Sequence, residues 1–227
     1  PPWAEGAGIT HPLVLAAQRA GISLKSSFLA CRILQEGGQV SGVWGYDSRA
    51  GRFQCIQCGA VVMASGGGGA IYSRTSNPVH ATGDGYAIAH RAGVALKDME
   101  FVQFYPVGAA LPQAPIRNIF PSAVEAGKLL NKNGEDILQK YNITERPACL
   151  RARDVLSRCL SQEVAAGLDI DGAILLDVRG ATEEKWLEGV EDSGRAEVER
   201  RSAMERLYHL SQRPLPVLPL AHFFCGG

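Results

Sequence analysis

The stretch that decides the reading is Val61-Val62-Met63-Ala64-Ser65-Gly66-Gly67-Gly68-Gly69. A continuous apolar run that passes into glycines predicts a strand buried on both faces and ending in a turn. Glycines there let backbone amides come close to a bulky anion such as a pyrophosphate. The run lacks the G-x-G-x-x-G spacing and no helix plainly follows it, so taken alone a tight surface turn explains it equally well. Thr82-Gly83-Asp84-Gly85 begins 13 positions after Gly69. It opens a helix and offers free amides together with a capping side chain. The pairing of the two loops says more than either does alone.

Upstream, Ser27 to Leu34, Val40 to Tyr46 and Arg52 to Ile56 read as strands, turned at Gly37-Gly38 and across Asp47-Ser48-Arg49-Ala50-Gly51. They predict an antiparallel three-stranded meander. Before them, His11 to Arg19 has helical spacing and stops at Ala20-Gly21, and Ile22-Ser23-Leu24 is a short strand candidate. Downstream, Tyr86 to Ala92 predicts a helix closed by Gly93, and Phe101 to Phe104 a strand. Pro106 to Pro121 reads as a loop, with Pro112, Pro115 and Pro121 as breakers. Arg153 to Ala166 predicts a helix with apolar Val155, Leu156, Leu160 and Val164, stopped by Gly167. Ala173 to Val178 reads as a strand, Thr182 to Val190 and Ala196 to His209 as charged helices, and Pro214 to Pro219 as extended.

The composition is that of a globule: 227 residues, 46% hydrophobic and 20% charged. Lys plus Arg is 23 and Asp plus Glu is 23, a balance that argues against a generally basic nucleic-acid binder and an acidic tail. No apolar run approaches the roughly 20 residues that span a bilayer. The six cysteines are sparse and irregular, unlike a secreted disulfide framework. Cys55-Ile56-Gln57-Cys58 has no second C-x-x-C to complete a zinc site and lies on a predicted strand, so no metal is expected there. Asn142-Ile143-Thr144 fits a glycosylation acceptor, but nothing else suggests secretion. The chain starts at Pro1-Pro2 and stops at Cys225-Gly226-Gly227, and we read it as a piece of something longer.

Several blocks together resemble the succinate dehydrogenase/fumarate reductase flavoprotein family, which includes L-aspartate oxidase. They are Ala60 to Tyr72, Thr75-Ser76-Asn77-Pro78, Ala81 to Ala87, Arg91-Ala92-Gly93, Asp98 to Phe104, Leu130-Asn131-Lys132-Asn133-Gly134-Glu135, Arg153-Asp154-Val155-Leu156-Ser157-Arg158 and Pro216 to Gly227. The blocks follow the family's order along most of the chain. The resemblance implies a mixed α+β and α/β fold: part of a Rossmann-like FAD-binding domain with a β-meander, plus an α+β capping domain. It assigns 1–76 to the FAD-binding domain, 77–215 to the cap, and 216–227 to a return strand. The family's N-terminal G-x-G-x-x-G unit and its C-terminal substrate-arginine segment have no counterpart here, which makes this a central piece.

The implied cofactor is FAD, contacted by Ser65, Gly66, Gly67, Gly68, Thr82, Gly83 and Asp84. The implied chemistry is hydride transfer between flavin and a small organic acid, with Arg153 moving a proton and His222 binding a carboxylate. An arginine is an unusual acid, since its ordinary pKa lies above about 12. Tyr105 stands where the family has a histidine, and Pro121-Ser122 where it has Thr/Ser-Glu. Glu125-Ala126-Gly127 is a shortened counterpart of Arg-Gly-Glu-Gly-Gly. These departures touch the dicarboxylate-handling positions. They keep open a second reading, an electron-transfer flavoprotein subunit without dicarboxylate chemistry, while the chain's ends alone support a third, a non-catalytic binding module. The resemblance further implies an iron–sulfur or other electron-transfer partner and a cytoplasmic location, with any membrane tie running through partners.

Overall fold

The computed structural model describes residues 5–111, 118–187 and 195–224. Pro112, Pro115, Cys225-Gly226-Gly227 and the end of the helix expected over 182–190 lie outside them. Two compact units divide the chain, one of residues 1–64 with 85–95 and the other of 65–84 with 96–227.

The first unit holds helix α1 (Glu5–Arg19), the meander β1 (Phe28–Glu36), β2 (Gln39–Asp47) and β3 (Arg52–Gln57), and most of α2 (Asp84–Arg91). The strands pair antiparallel in the order β1-β2-β3, as expected. Glu36 pairs with Gln39 across a two-residue loop in which Gly37 and Gly38 have φ of +58° and +79°. Positive φ at both loop positions matches the right-handed twist of the flanking strands, and glycine alone takes it without strain. Asp47 shapes the second turn. Its Oδ1 accepts from Arg49 N (3.0 Å) and Ala50 N (2.9 Å), and its Oδ2 accepts from Lys25 Nζ at 2.6 Å.

Two expectations fail in this unit. Val61–Ala64 forms no strand, and Val62 and Met63 are 89% and 41% exposed. Ile22-Ser23-Leu24 is likewise irregular and exposed. An apolar run becomes a buried strand only where neighbours supply ladder partners and cover, and no described strand pairs with either segment.

The second unit is built on a four-stranded antiparallel sheet in the order β4-β7-β6-β5: β4 (Val102–Ala109), β5 (Lys128–Leu130), β6 (Ile174–Asp177) and β7 (Leu215–Phe224). Around it run α3 (Pro121–Ala126), α4 (Ile137–Lys140), α5 (Ala148–Arg151), α6 (Arg153–Ala165), α7 (Glu183–Leu187) and α8 (Arg195–Tyr208). Helix α6 buries Leu156 and Leu160 completely, one turn apart on one face, while Val155 is 38% exposed. They join Val107, Ile119, Leu129, Ile174, Leu176, Val217 and Leu220 in one core.

The segment expected as a loop from Pro106 instead continues β4 to Ala109. The extended proline run becomes β7, which lies between β4 and β6. Pro106 and Pro219 are tolerated because the ladder between β4 and β7 lapses there. Tyr105 pairs with Leu220 and Gly108 with Leu218, so Pro106 and Val107 oppose Pro219 alone. A bulge of this count needs no N–H from either proline.

The Leu130–Glu135 block is a structural clasp. Asn131 Oδ1 accepts from Asn133 N and Glu135 N, both at 3.0 Å, and its Nδ2 donates to Glu163 Oε2 at 2.7 Å. Glu163, 1% exposed, also accepts from Tyr141 Oη (2.6 Å) and pairs with Lys140 Nζ (3.0 Å). Burial pushes the Glu163 carboxyl up, but the donations from Tyr141, Asn131 and Lys140 together hold it below the usual carboxylate range.

Candidate functional site

Every residue singled out for cofactor or substrate lies in the second unit. Ser65 and Gly66 are exposed, and Gly68 and Gly69 are buried as the chain turns through one 3₁₀ turn at Gly69–Ile71. Gly66 and Gly83 both have φ of +78°. A Cβ at Gly66 would meet nothing within 4 Å, whereas one at Gly69 would collide with the Asn77 side chain. Ala70 N donates to Ala81 O at 2.9 Å, which ties the two glycine loops together. Thr82 Oγ1 donates to Asp84 Oδ2 at 2.7 Å, so that hydroxyl serves the loop itself. Open backbone at the left-handed Gly66, where a Cβ would meet nothing, fits an anionic ligand that wants main-chain amides.

The three residues singled out for catalysis come from β4, α6 and β7 and meet in one cluster. The Arg153 guanidinium lies 5.7 Å from the Tyr105 ring centroid, and the Tyr105 and His222 rings are 5.6 Å apart. Arg153 Nη1 donates to Gln103 Oε1 at 2.7 Å, and its Nε to Cys149 O at 3.1 Å. Both acceptors are neutral, and no carboxylate of the described residues forms an ion pair with it. Placement at the first residue of α6, separated from α5 by Ala152 alone, sets this geometry.

Tyr105 is 5% exposed, and its hydroxyl donates to Ile119 O at 2.7 Å. Burial pushes its phenol well above the ordinary value. It therefore acts as a fixed aromatic wall with its proton already committed. Ser122 is 2% exposed, and its Oγ has no hydrogen-bond partner among the described residues. Glu125 faces Arg146 Nε at 3.2 Å and accepts from Ala148 N at 2.8 Å, fastening α5.

His222 is half-buried on β7. Burial first, and then the charge of Arg153, lower its pKa below the usual imidazole value. Ser76 Oγ lies 2.8 Å from its Nδ1 and Asn118 Nδ2 3.4 Å from the same atom. Ser76 and Asn118 carried no sequence signal as site residues, because nothing local marks a partner 146 or 104 positions away. Arg74 was also missed. Its Nε and Nη2 are shielded from solvent without a partner among the described residues, and burial lowers its pKa. It lines a cleft of about 720 Å³ with Phe104, Ser157, Arg158 and Gln162. Among the described residues no group of His, Cys, Asp and Glu is placed to hold a metal.

The glycine-loop pair and the cluster around Arg153 lie in the same unit. The sequence agrees with the family described as FAD binding domain over residues 1–227. The chain belongs to that family, whose cofactor is FAD. It is 31% identical over 224 residues to the 8-methylmenaquinol:fumarate reductase flavoprotein subunit of Wolinella succinogenes, covering 96% of this chain and 35% of that protein. It is 30% identical over 230 residues to the succinate dehydrogenase flavoprotein subunit of Rickettsia bellii, covering 98% and 36%. A solved quinol–fumarate reductase with menaquinol molecules superposes with a TM-score of 0.69 at 31% identity, over 88% of this chain and 36% of that one. The chain thus spans little more than a third of the length of these relatives.

Proposed function

We propose that this chain is the central part of an FAD-dependent oxidoreductase of the succinate dehydrogenase/fumarate reductase flavoprotein type, acting on a small organic acid. The observation that carries the reading is the convergence of Arg153, Tyr105 and His222, with the Arg153 guanidinium hydrogen-bonded to neutral acceptors and in no ion pair among the described residues. An uncompensated guanidinium against an aromatic wall favours an anionic ligand. Bound FAD supplies the hydride donor or acceptor. In this reading, residues 65–68 and 82–84 hold part of it through main-chain amides. His222 donates to the carboxylate of the acid, Tyr105 excludes water beneath it, and Arg153 orients the acid and holds the proton that accompanies the hydride. Residues 1–76 then belong to the FAD-binding domain, 77–215 to the cap and 216–227 to the return strand. By analogy with the relatives named as flavoprotein subunits, the partner is an iron–sulfur or other electron-transfer subunit. No described helix is long and apolar enough to cross a membrane. We place the protein in the cytoplasm, bound to any membrane through its partners.

The test is dye-linked turnover by the full-length gene product. Reduced viologen should be oxidised by an unsaturated acid such as fumarate. Arg153→Ala should lower kcat on the order of a hundredfold or more, and Arg153→Lys should not restore it, because a point charge cannot keep both bonds of the planar fork. A second reading, electron transfer without dicarboxylate chemistry, is favoured by two facts: the Tyr105 hydroxyl is already given to Ile119 O, and Ser122 is buried. Tight flavin retention with no turnover of any carboxylate would decide for it.

A further inference from the structure

Arg74 is pinned through its main chain and unmatched at its side chain. Its carbonyl accepts from Ala221 N at 2.9 Å, and the next residue, Thr75, donates from Oγ1 to Ala221 O at 2.9 Å. Two guanidinium nitrogens, Nε and Nη2, are shielded from solvent with no partner among the described residues, and no described carboxylate forms an ion pair with the group. Burying a cation costs free energy unless an acceptor or an opposite charge offsets it. Burial accordingly lowers the Arg74 pKa.

The cleft of about 720 Å³ that Arg74 lines is otherwise mostly apolar. Phe104, Leu218 and Pro219 wall it, and Tyr72 braces the Phe104 ring edge-on with centroids 6.0 Å apart. Three of the other polar groups on the wall are already engaged. Ser157 Oγ donates to Arg153 O at 2.7 Å, Ser161 Oγ donates to Ser157 O at 2.9 Å, and Arg158 Nη2 pairs with Asp154 Oδ2 at 3.0 Å. One unmatched positive charge thus stands against a hydrocarbon surface, in a space of the size that holds a small organic molecule.

We propose that this cleft is a binding site for a small amphipathic monocarboxylate, whose carboxylate takes Arg74 as its partner and whose hydrocarbon body lies against Phe104, Leu218 and Pro219. One negative charge balances the one unmatched cation, and the planar guanidinium matches a carboxylate in shape as well as in charge. The apolar walls keep water from screening the pair, and they discriminate against an acid that has no body to bury. Among the described residues, Arg153, Tyr105 and His222 take no part in lining the cleft, so the site stands or falls apart from the oxidoreductase reading.

The experiment is calorimetric titration of the full-length, flavin-loaded protein with octanoate. One molecule should bind with a Kd of about 1 mM or tighter. Acetate, which has the charge without the body, should bind at least about tenfold more weakly. Arg74→Met keeps a long side chain without the charge and should lower the octanoate affinity at least about tenfold, while Arg153→Ala should leave it within about twofold. In thermal melts Arg74→Met should raise the Tm of the unliganded protein, because an unmatched buried charge is gone, and octanoate should raise the Tm of the wild type but not of that variant. No binding, equal affinity for acetate, or an affinity unmoved by Arg74→Met would overturn the proposal. So would loss of binding in Arg153→Ala, which would put the ligand in the catalytic cluster. Refusal of octanoate together with a lower Tm for Arg74→Met would also overturn it, and would show that another part of the full-length protein already supplies the acid.

Discussion

The two units use similar apolar residues to different ends. In the second unit Val107, Ile119, Leu156, Leu160 and Ile174 are fully buried. In the first, the buried apolar residues among those described are Ile33, Ile88 and Ala89, each at 7 to 9% exposure, while Leu13, Leu29, Phe53 and Val62 are more than half exposed. Hydrophobic pattern proposes a face, but only neighbours turn that face into a core. The meander survives this because its stability is local. Ladder bonds, a two-glycine turn and an aromatic stack of Trp44 on Phe53, with centroids 4.5 Å apart, hold it together. The sheet of the second unit depends instead on residues far apart in sequence.

Substitutions can sharpen this contrast. Leu160→Ala should cost about 3 kcal/mol in unfolding free energy, because it leaves a cavity among fully buried residues. A cost below about 1 kcal/mol would mean that this core closes around the gap as a loosely packed one does. Glu163→Gln should cost about 2 kcal/mol by breaking the clasp to Lys140 and Asn131. Its pH signature has a definite sign. The Glu163 pKa is lowered on folding, so its contribution is present above the ordinary carboxylate range and is lost as pH falls through the lowered value. Acid unfolding curves of wild type should therefore be steeper than those of Glu163→Gln. In the first unit, Gly38→Ala should cost about 1 kcal/mol through backbone strain at a φ of +79° alone, since a Cβ there meets nothing within 4 Å. Val62→Ala should change stability by less than about 0.5 kcal/mol, since that side chain is 89% exposed. A large loss there would show that the exposed run has cover in solution.

What could be read from the sequence follows the same division. Strand alternation and the Gly37-Gly38 turn located the meander to within a residue or two, since both signals are local. Helix α6 was legible from its spacing, although its buried face is Leu156 and Leu160 and excludes Val155. The four-residue helices α4 and α5 were not, because one turn has no period to detect. They exist through Asp136, whose Oδ1 accepts from Leu138 N at 3.1 Å, and through Glu125 at Ala148 N. In the site, Arg153 and His222 were visible as parts of motifs. The commitment of the Tyr105 hydroxyl to Ile119 and the approach of Ser76 to His222 are tertiary facts that no spacing encodes.

The bridge from Thr75 to Ala221 has a consequence for how the protein comes into being. Those two residues are 146 positions apart, so closing that contact carries the entropy of a long loop, and contacts of such separation form late. During synthesis the glycine loops emerge early and wait, since the strand that completes their neighbourhood is translated only after the whole of α6 and β6. The meander can be native while the polypeptide is still growing. The cluster around His222 cannot exist until translation has passed it.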